Sequence, residues 1–462
     1  MIAILCTLLA APPPSPSIPE GLSRLSRGDT AGRAGRYAEA MLEYKEAYDR
    51  LLPAIRGLEF RAATPTEVVK RDALKERLAK TFEEEDRAQI RFFDRALKAF
   101  GVLPPVMSLE PLMLSLLESE VAGYYDPARK QITIVDGKKA KKKKKKKKPS
   151  SFLARLLTKD GFDPGESRGV VAHELTHALT DQHYDLTKLK KAVADVDDAS
   201  MALDAVIEGD AMIAMMAAMG NDYSGAEQIF ASGSAYWRFT FEVLAGMAPE
   251  LSGETLRSAP PFFAEAMMFP YTYGMVFLLE VGQDGGFAAV NRVYARPPES
   301  TEQVLHPERY LKRDPPILIE EPKWPMGLKR LGSNVLGEAQ IRFILEDEEA
   351  AAGWGGDRYT IFEADRDTVL VWMTQWDSPD DAVEFGDAWR NYVDRRLRRN
   401  QASTPEPLAP FRNGEFLHET TARRFFVSRS GTRVVILEGP GSAIAPLLKP
   451  SITAVEQSRA AE

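Results

Sequence analysis

The chain contains very little cysteine and little histidine for its length. A single cysteine, Cys6, occurs in 462 residues, and it lies in the apolar N-terminal segment. If that segment is removed, the mature chain has no cysteine, which excludes a disulfide framework. Histidine occurs only five times, so a cluster of histidines is unexpected and points to a specific role.

The sequence also lacks an apolar run long enough to cross a bilayer. Met1–Ala11 is nearly all apolar, but ten or eleven residues are too few for a membrane-spanning helix. This segment fits the hydrophobic part of a secretory signal peptide, although the usual basic leader is missing. We therefore expect residues 1–19 to be a signal-like segment with a proline-rich linker. The protein would be secreted, or located in the periplasm or cell envelope.

Charge and composition limit the class of partner. Apolar and charged fractions of 44% and 27% are typical of a soluble globular protein. The net charge of the chain is −7, and ten lysines at 138, 139 and 141–148 contribute +10 of it. Without them the net charge is −17, so the rest of the chain is acidic. Nucleic acid is therefore not expected as a partner. We interpret the run 138–148 as a solvated loop, because consecutive like charges repel each other. Contact of this run with a membrane or cell-wall polymer is the less favoured alternative.

Three of the five histidines fall within eleven residues, and two of them frame the sequence HELTH at 173–177. Residues four apart on a helix lie on the same face. His173 and His177 can therefore bind one zinc ion, with Glu174 beside it as the general base for the attacking water. Helix-start signals at 163–167 and an apolar stripe from Val171 favour a half-buried helix. The alternative is an ordinary helix with two solvent-facing histidines.

A catalytic zinc needs a third protein ligand, and there are two candidates. His183 lies ten residues after His173, as in the metzincin pattern, but Thr180 stands where that pattern has a glycine that turns the chain back. Glu208 lies in Met201–Met219, a segment that is rich in alanine and methionine and is predicted to be a buried helix. A carboxylate there is costly unless it is paired or coordinates a metal. We favour Glu208, with a buried salt bridge as its alternative role.

With that choice, residues 171–183, VAHELTHALTDQH, and the later 208–211, EGDA, resemble the gluzincin metallopeptidases. More narrowly, they look like a poorly characterised bacterial group of such proteins, and the resemblance covers about 112–310. It implies a zincin-like domain that cleaves a peptide or protein substrate. It also implies a zinc site formed by His173, His177 and Glu208, with Glu174 as the base.

The chain departs from some gluzincins in one respect. Those proteins carry an acidic residue four positions after the ligand glutamate, where this chain has Met212. Asp204 or Asp210 would then have to orient a ligand histidine.

Two further features flank the motif. Gln131–Val135 is predicted to be a short strand. In zincin folds an edge strand before the motif helix pairs with extended substrate, and this strand is placed for that role. The alternative is an ordinary sheet strand.

Tyr271 lies three residues before Gly274 on an apolar helix. Several gluzincin families place there a tyrosine whose hydroxyl stabilises the oxyanion. His306 is another candidate donor, and a packing or surface role is the alternative for both residues.

The whole chain is predicted to be α+β and predominantly helical. A helical region at 20–105 precedes the zincin-like metallopeptidase domain at 106–312. A linker at 313–330 leads to a small α+β domain at 331–462. This domain has four predicted strands and one helix, at Arg358–Glu363, Thr368–Gln375, Asp380–Arg398, Arg424–Arg429 and Arg433–Glu438.

These patterns predict a zinc metallopeptidase, a hydrolase in which Glu174 acts on the water that zinc activates. The competing interpretation is a non-catalytic interaction or scaffold protein with a structural or vestigial zinc site. An open coordination position favours hydrolysis, and a closed four-ligand site favours the scaffold.

Overall fold

A computed structural model describes residues 17–70, 84–120, 123–136, 164–220, 225–246, 254–324, 328–364, 367–399, 408–421 and 423–447. The predicted α+β class with a majority of helix is confirmed. The apolar start and the lysine run lie outside the described residues.

The N-terminal part combines a helical pair with a small sheet. Its elements are α1 (Ser17–Arg33), α2 (Tyr37–Arg56), β1 (Thr66–Lys70), α3 (Glu84–Phe100), α4 (Leu109–Glu120), β2 (Gly123–Asp126) and β3 (Gln131–Asp136). Strand β1 pairs in parallel with β3, so the predicted helical region at 20–105 contributes a strand to the sheet next to the motif helix. The short strand was missed because highly charged sequence follows it, while its β-branched Val68 and Val69 favour extended backbone.

Gln131–Val135 is a strand, as predicted, and of its two predicted positions the ordinary sheet strand is the one observed rather than the edge strand. Strand β3 is the central strand, parallel to β1 on one side and antiparallel to β2 on the other. Its residues from Ile132 to Val135 are all buried. Alternation along a strand shows which of its faces is apolar, not whether other strands pair with both of its edges, so the sequence could not distinguish an edge from a central position.

The middle of the chain is helical. The helices are α5 (Pro164–Tyr184), α6 (Leu186–Val193), α7 (Asp197–Met219), α8 (Gly225–Ser232), α9 (Ser234–Gly246), α10 (Glu254–Ser258), α11 (Pro261–Val281), α12 (Gly286–Ala295), α13 (Thr301–Leu305) and α14 (Pro307–Lys312). Helix α5 begins at a proline, whose fixed φ and missing N–H suit the first helical position.

By length and composition alone, helix α11 could cross a membrane. This differs from the prediction that the chain has no apolar run long enough to do so. Half of its apolar window is buried inside the protein. It packs along α7 and forms, with α7, much of the central core.

Helices α7 and α11 cross with their backbones in contact. A Cβ atom on Gly274 would lie 2.0 Å from the carbonyl oxygen of Ala205, and one on Gly209 would lie 2.3 Å from the carbonyl carbon of Gly274. Only glycine fits at either position. The small residues of this helix, Ala205 and Gly209, thus permit a close approach to the helix that carries Tyr271.

The C-terminal part is a six-stranded antiparallel sheet with helices. In chain order its elements are β4 (Lys329–Asn334), α15 (Gly337–Leu345), β5 (Trp354–Ala364), β6 (Asp367–Trp376), α16 (Pro379–Arg399), β7 (Glu415–Glu419), β8 (Arg424–Ser430) and β9 (Arg433–Gly439). The strand order is β4-β5-β6-β9-β8-β7. All four predicted strands and the predicted helix are present, whereas β4, α15 and β7 were not predicted. Strand β4 begins inside the segment predicted to be a linker.

The first turn of α7 is fixed by hydrogen bonds to α13, α15 and strand β4. Asp198 accepts from the backbone N–H and the hydroxyl of Thr301, at 3.0 and 2.5 Å. Asp197 accepts from the side chain of Gln340 at 2.6 Å, and its own N–H donates to Asn334 at 2.8 Å. The helix that carries Glu208 thus starts at a hydrogen-bonded junction with α13 and with the C-terminal part of the chain.

Candidate metal centre

Helix α5 presents His173, Glu174 and His177 from the middle of the protein. Residues 171–181 are all buried, which is more than the predicted half-buried helix. The reason is that α5 packs against α2 and α7 and against strands β2 and β3, so that little of its surface reaches solvent. Both histidine side chains nevertheless keep about a tenth of their surface exposed, which leaves the site open to small molecules.

Three ligand atoms converge at this point. The Nε2 atom of His173 lies 3.0 Å from Oε2 of Glu208 and 3.0 Å from Nε2 of His177. The distance from His177 Nε2 to the same carboxylate oxygen is 3.3 Å. Among the described residues, this is the only group of three or more such side chains whose ligand atoms all lie within 4.8 Å of one another.

The spacing fits a single zinc ion. Two ligands on a tetrahedral ion, each with a bond of 2.0–2.1 Å, are separated by roughly 3.3 Å. The chemistry also fits, because two imidazoles and one carboxylate form a common ligand set of catalytic zinc. Buried acceptor atoms that face one another are costly unless a cation or proton lies between them.

His183 takes no part in this cluster. It lies in the last turn of α5, where its Nε2 is 2.8 Å from the carbonyl oxygen of Glu59. The helix continues without a break through Thr180, as the absence of a glycine there predicted. The structure therefore brings Glu208 to the two histidines, and it leaves His183 on a different side of the helix.

Glu174 is buried beside the cluster and faces strand β2. Its carboxylate accepts a hydrogen bond from the backbone N–H of Tyr125. Burial raises the pKa of Glu174 to about 7, against the opposing effect of His173. This is the range suited to a group that accepts and returns a proton at neutral pH.

Strand β2, rather than β3, is the sheet edge next to the site. It pairs with β3 on one side, and the other side has no strand partner within the described residues. Asp181 fixes this edge to α5, since it accepts from the hydroxyl of Tyr125 at 2.5 Å and from Lys130 Nζ at 2.7 Å. The edge strand beside the motif helix is thus β2, which precedes β3 in the chain.

Tyr271 reaches the cluster from α11. Its hydroxyl donates to Glu208, and its ring stacks on the imidazole of His173 with the centroids 6.0 Å apart. The negative charge of Glu208, together with burial, raises the pKa of Tyr271 well above its usual value, so the hydroxyl keeps its proton and can donate. Burial opposes ionisation of Glu208, but His177 and His173 outweigh it and hold the pKa of this carboxyl below its usual range.

The predicted orientation of a ligand histidine by Asp204 or Asp210 is wrong. Asp204 pairs with Lys190 at 2.9 Å, and Asp210 lies on the far side of α7 from the histidines, bound to Arg56. The Nδ1 atom of His173 is buried and has no hydrogen-bond partner among the described residues. Helical geometry explains the result for Asp210, because residues two apart point to nearly opposite faces and Asp210 cannot share the direction of Glu208. Asp204 lies on the same face as Glu208, but Lys190 is its partner.

The Asp210 network was missed by sequence analysis. Arg56, which is fully buried, donates to both carboxylate oxygens of Asp210 at 2.7 and 2.9 Å. Tyr294 donates to the same carboxylate at 2.8 Å and is hydrogen-bonded to Thr180 of the motif helix. The available signal was the carboxylate in an apolar helix, which requires a cation. Nothing in the sequence identified Arg56 as that cation.

His306 is placed with Glu338 rather than with the metal cluster. Its Nε2 atom lies 2.9 Å from Oε1 of Glu338, and the side chain lines a separate cavity. Of the two candidate oxyanion donors, only Tyr271 is in contact with the cluster.

Comparison with known families gives one match. Residues 326–448 match a family described as a domain of unknown function (DUF8575). This segment coincides with the C-terminal sheet and contains none of the metal-cluster residues. Searches of curated proteins and of solved structures find no match to the chain.

Proposed function

We propose that the protein is a zinc-dependent peptidase of the gluzincin type, with a zincin-like domain built around α5, α7 and α11. The observation that carries the proposal is the convergence of His173, His177 and Glu208, with atoms 3.0–3.3 Å apart, beside a buried glutamate. Each of these residues comes from one of the two sequence segments that resemble gluzincins.

His173, His177 and Glu208 would hold the zinc ion through their Nε2 and carboxylate oxygen atoms. When bound, zinc lowers the pKa of a coordinated water to roughly 7 and polarises a carbonyl group. The carboxylate of Glu208 offsets one of the two positive charges of the ion. Three protein ligands leave one position of a tetrahedral ion free, and this supports hydrolysis over a purely structural site.

Glu174 acts as the general base and then as the general acid. Its carboxylate takes a proton from the attacking water and passes that proton to the amine that leaves. The hydrogen bond from Tyr125 N–H fixes its orientation, and the raised pKa brings both the charged and the protonated form within reach near neutral pH.

Tyr271 supplies a hydrogen bond to the oxyanion of the tetrahedral species. Its hydroxyl keeps its proton and has Glu208 as its partner before substrate arrives. A donor that is already positioned by stacking on His173 needs little reorganisation when charge develops on the carbonyl oxygen.

The substrate is a peptide or protein in extended conformation. The free edge of β2 runs past Glu174 and can pair with the substrate main chain. Recognition through main-chain hydrogen bonds places few demands on the substrate sequence. The signal-like start supports a secreted, periplasmic or cell-envelope location.

Metal analysis combined with hydrolysis assays on the same sample tests this proposal. We expect one zinc per chain and hydrolysis of labelled, unfolded casein. Activity should disappear after dialysis against a chelator and return when zinc is added. Stoichiometric zinc without hydrolysis of unfolded protein or peptide substrates would instead favour the scaffold function, in which the same three residues hold a structural ion.

A further inference from the structure

A second cavity lies away from the metal cluster, between the end of α11, the junction of α13 with α14, and α15. Its volume is about 570 Å³, which lies in the range of small-molecule sites. His306, Leu305 and Leu311 form part of its wall, and none of the metal-cluster residues lines it.

The lining of this cavity is acidic. Five glutamates face two arginines and His306, so the lining stays negative even when the histidine is protonated. Arg342, one of the two arginines, is paired with Glu348 at 3.0 Å. The excess of carboxylates therefore favours a cationic ligand.

One of the two carboxylate oxygens of Glu338 is a buried acceptor without a hydrogen-bond partner among the described residues. Its side chain is 4% exposed, and its Oε1 atom is 2.9 Å from His306 Nε2. Its Oε2 atom is buried and accepts no hydrogen bond from any described residue. The nearby Arg309 is already engaged by Glu302 at 3.2 Å and by Asp314 at 3.1 Å. A buried carboxylate oxygen of this kind is stabilised by a donor that enters from the cavity.

The shape of the site favours an organic cation over a metal ion. In the described part of the chain, no three of these side chains bring ligand atoms within 4.8 Å of one another. The carboxylates are thus spread around the cavity and suit several N–H donors of one ligand. Leu305, Pro307, Leu311 and Ala352 line the same space and can contact an alkyl stem.

We propose that this cavity binds a small organic cation, an alkylammonium or guanidinium group on an alkyl stem, with Glu338 as its main acceptor. The site is independent of the metal centre and of the proposed peptidase activity. The cation can belong to a free polyamine or to the basic side chain of a peptide.

Isothermal titration of the full-length protein with spermidine and with acetyl-argininamide, in 150 mM KCl, tests the proposal and distinguishes the two sources. The salt screens weak attraction to the acidic surface. Saturable binding of spermidine alone indicates a polyamine site, and binding of acetyl-argininamide alone indicates a side-chain site. If the wild-type protein binds neither probe, the proposal is wrong.

Variants then locate the binding. Glu338→Gln should weaken binding at least tenfold, because the ligand loses its charged partner. Glu415→Gln on β7, which removes the same charge outside the cavity, should leave binding unchanged. Leu311 is 58% exposed at the cavity wall, so Leu311→Lys should fold normally and abolish binding by placing a competing ammonium there. Equal affinity in the wild-type protein and in Leu311→Lys would overturn the proposal even if Glu338→Gln does not fold.

Discussion

Two carboxylates on the same buried helix are stabilised by different partners. Glu208 faces the two histidines of α5, and Asp210, two residues later, faces Arg56 and Tyr294 on the opposite side. The cost of burying a carboxylate made both residues candidates for a special role. The sequence could not tell which of them meets a metal and which meets an arginine, because the arginine comes from a helix more than 150 positions earlier.

The choice of third ligand can be tested by two substitutions. Glu208→Ala should weaken zinc binding by more than about 100-fold, because a ligand and its charge are lost, whereas His183→Ala should weaken it by less than about 10-fold. Competition for zinc with a coloured chelator measures both affinities. Loss of zinc in the His183 variant, with zinc retained in the Glu208 variant, would make the site metzincin-like.

The role of Tyr271 leads to a kinetic prediction. Tyr271→Phe should lower kcat by roughly 10²–10³, the usual effect of removing one oxyanion donor, and should leave zinc content unchanged. Steady-state hydrolysis of casein peptides measures this effect. Tyr273→Phe, two residues along the same helix, serves as the matched control and should retain full kcat. A wild-type kcat in Tyr271→Phe would remove this residue from the mechanism.

At the scale of elements, the site depends on how closely α7 and α11 approach each other. Glu208 is next to Gly209, and Tyr271 is one helical turn from Gly274, so the glycine crossing sets the hydrogen bond between the two functional side chains. The small residues of α7 made a close approach predictable. The partner helix was not predictable, because small residues do not specify which helix fits against them.

Gly274→Ala should therefore damage both the fold and the site. Its Cβ would meet the backbone of Ala205, which cannot move aside cheaply, so we expect unfolding free energy to fall by about 1–3 kcal/mol or more. Urea denaturation measures this change, and zinc affinity should fall with it. In Gly441→Ala the new methyl would lie no closer than 3.7 Å to the side chain of Arg424, which is an ordinary contact, so that variant should be neutral or slightly stabilised. Equal stability of the two variants would contradict the tight crossing.

The two helices that bear the motif were the elements most readily predicted, since α5 has an apolar stripe with start signals at 163–167 and α7 is rich in alanine and methionine. The sheet beside them was harder to predict. Strand β1 is short, and the alternation of Gln131 to Ile134 in β3 indicates a strand without indicating how many strands pair with it. Pairing between segments about 65 residues apart leaves no local signal in the sequence.

At the scale of the whole molecule, strand β4 and helix α15 of the C-terminal part support the start of the helix that carries Glu208. Asp197 at that start is hydrogen-bonded to Gln340, and burial raises its pKa to about 6. The carboxyl group of Asp197 releases its proton near pH 4 in the unfolded chain and near pH 6 in the folded protein. Unfolding free energy should thus fall as pH rises through this window, by about 3 kcal/mol at most.

Asp197→Asn should remove that pH dependence. At pH 7 we expect the unfolding free energy to rise by up to about 3 kcal/mol. The lost negative charge at the helix N-terminus reduces this gain by roughly 0.3–1 kcal/mol. At pH 3.5 we expect no gain. Chemical denaturation at the two pH values checks this. The exposed neighbour offers a control, since Asp195→Asn should change stability by less than about 0.5 kcal/mol. A destabilised Asp197→Asn at pH 7 would mean that the ionised carboxylate is needed at the junction.

The central claim is that His173, His177 and Glu208 hold a zinc ion on which Glu174 acts as a base without being a ligand. Measuring zinc content and casein hydrolysis on the same sample of Glu174→Gln tests it most directly. We predict one zinc per chain, as in the wild-type protein, and a fall in hydrolysis of at least 10²-fold, the usual minimum for losing a general base. Undiminished hydrolysis in this variant, or loss of its zinc, would contradict the account.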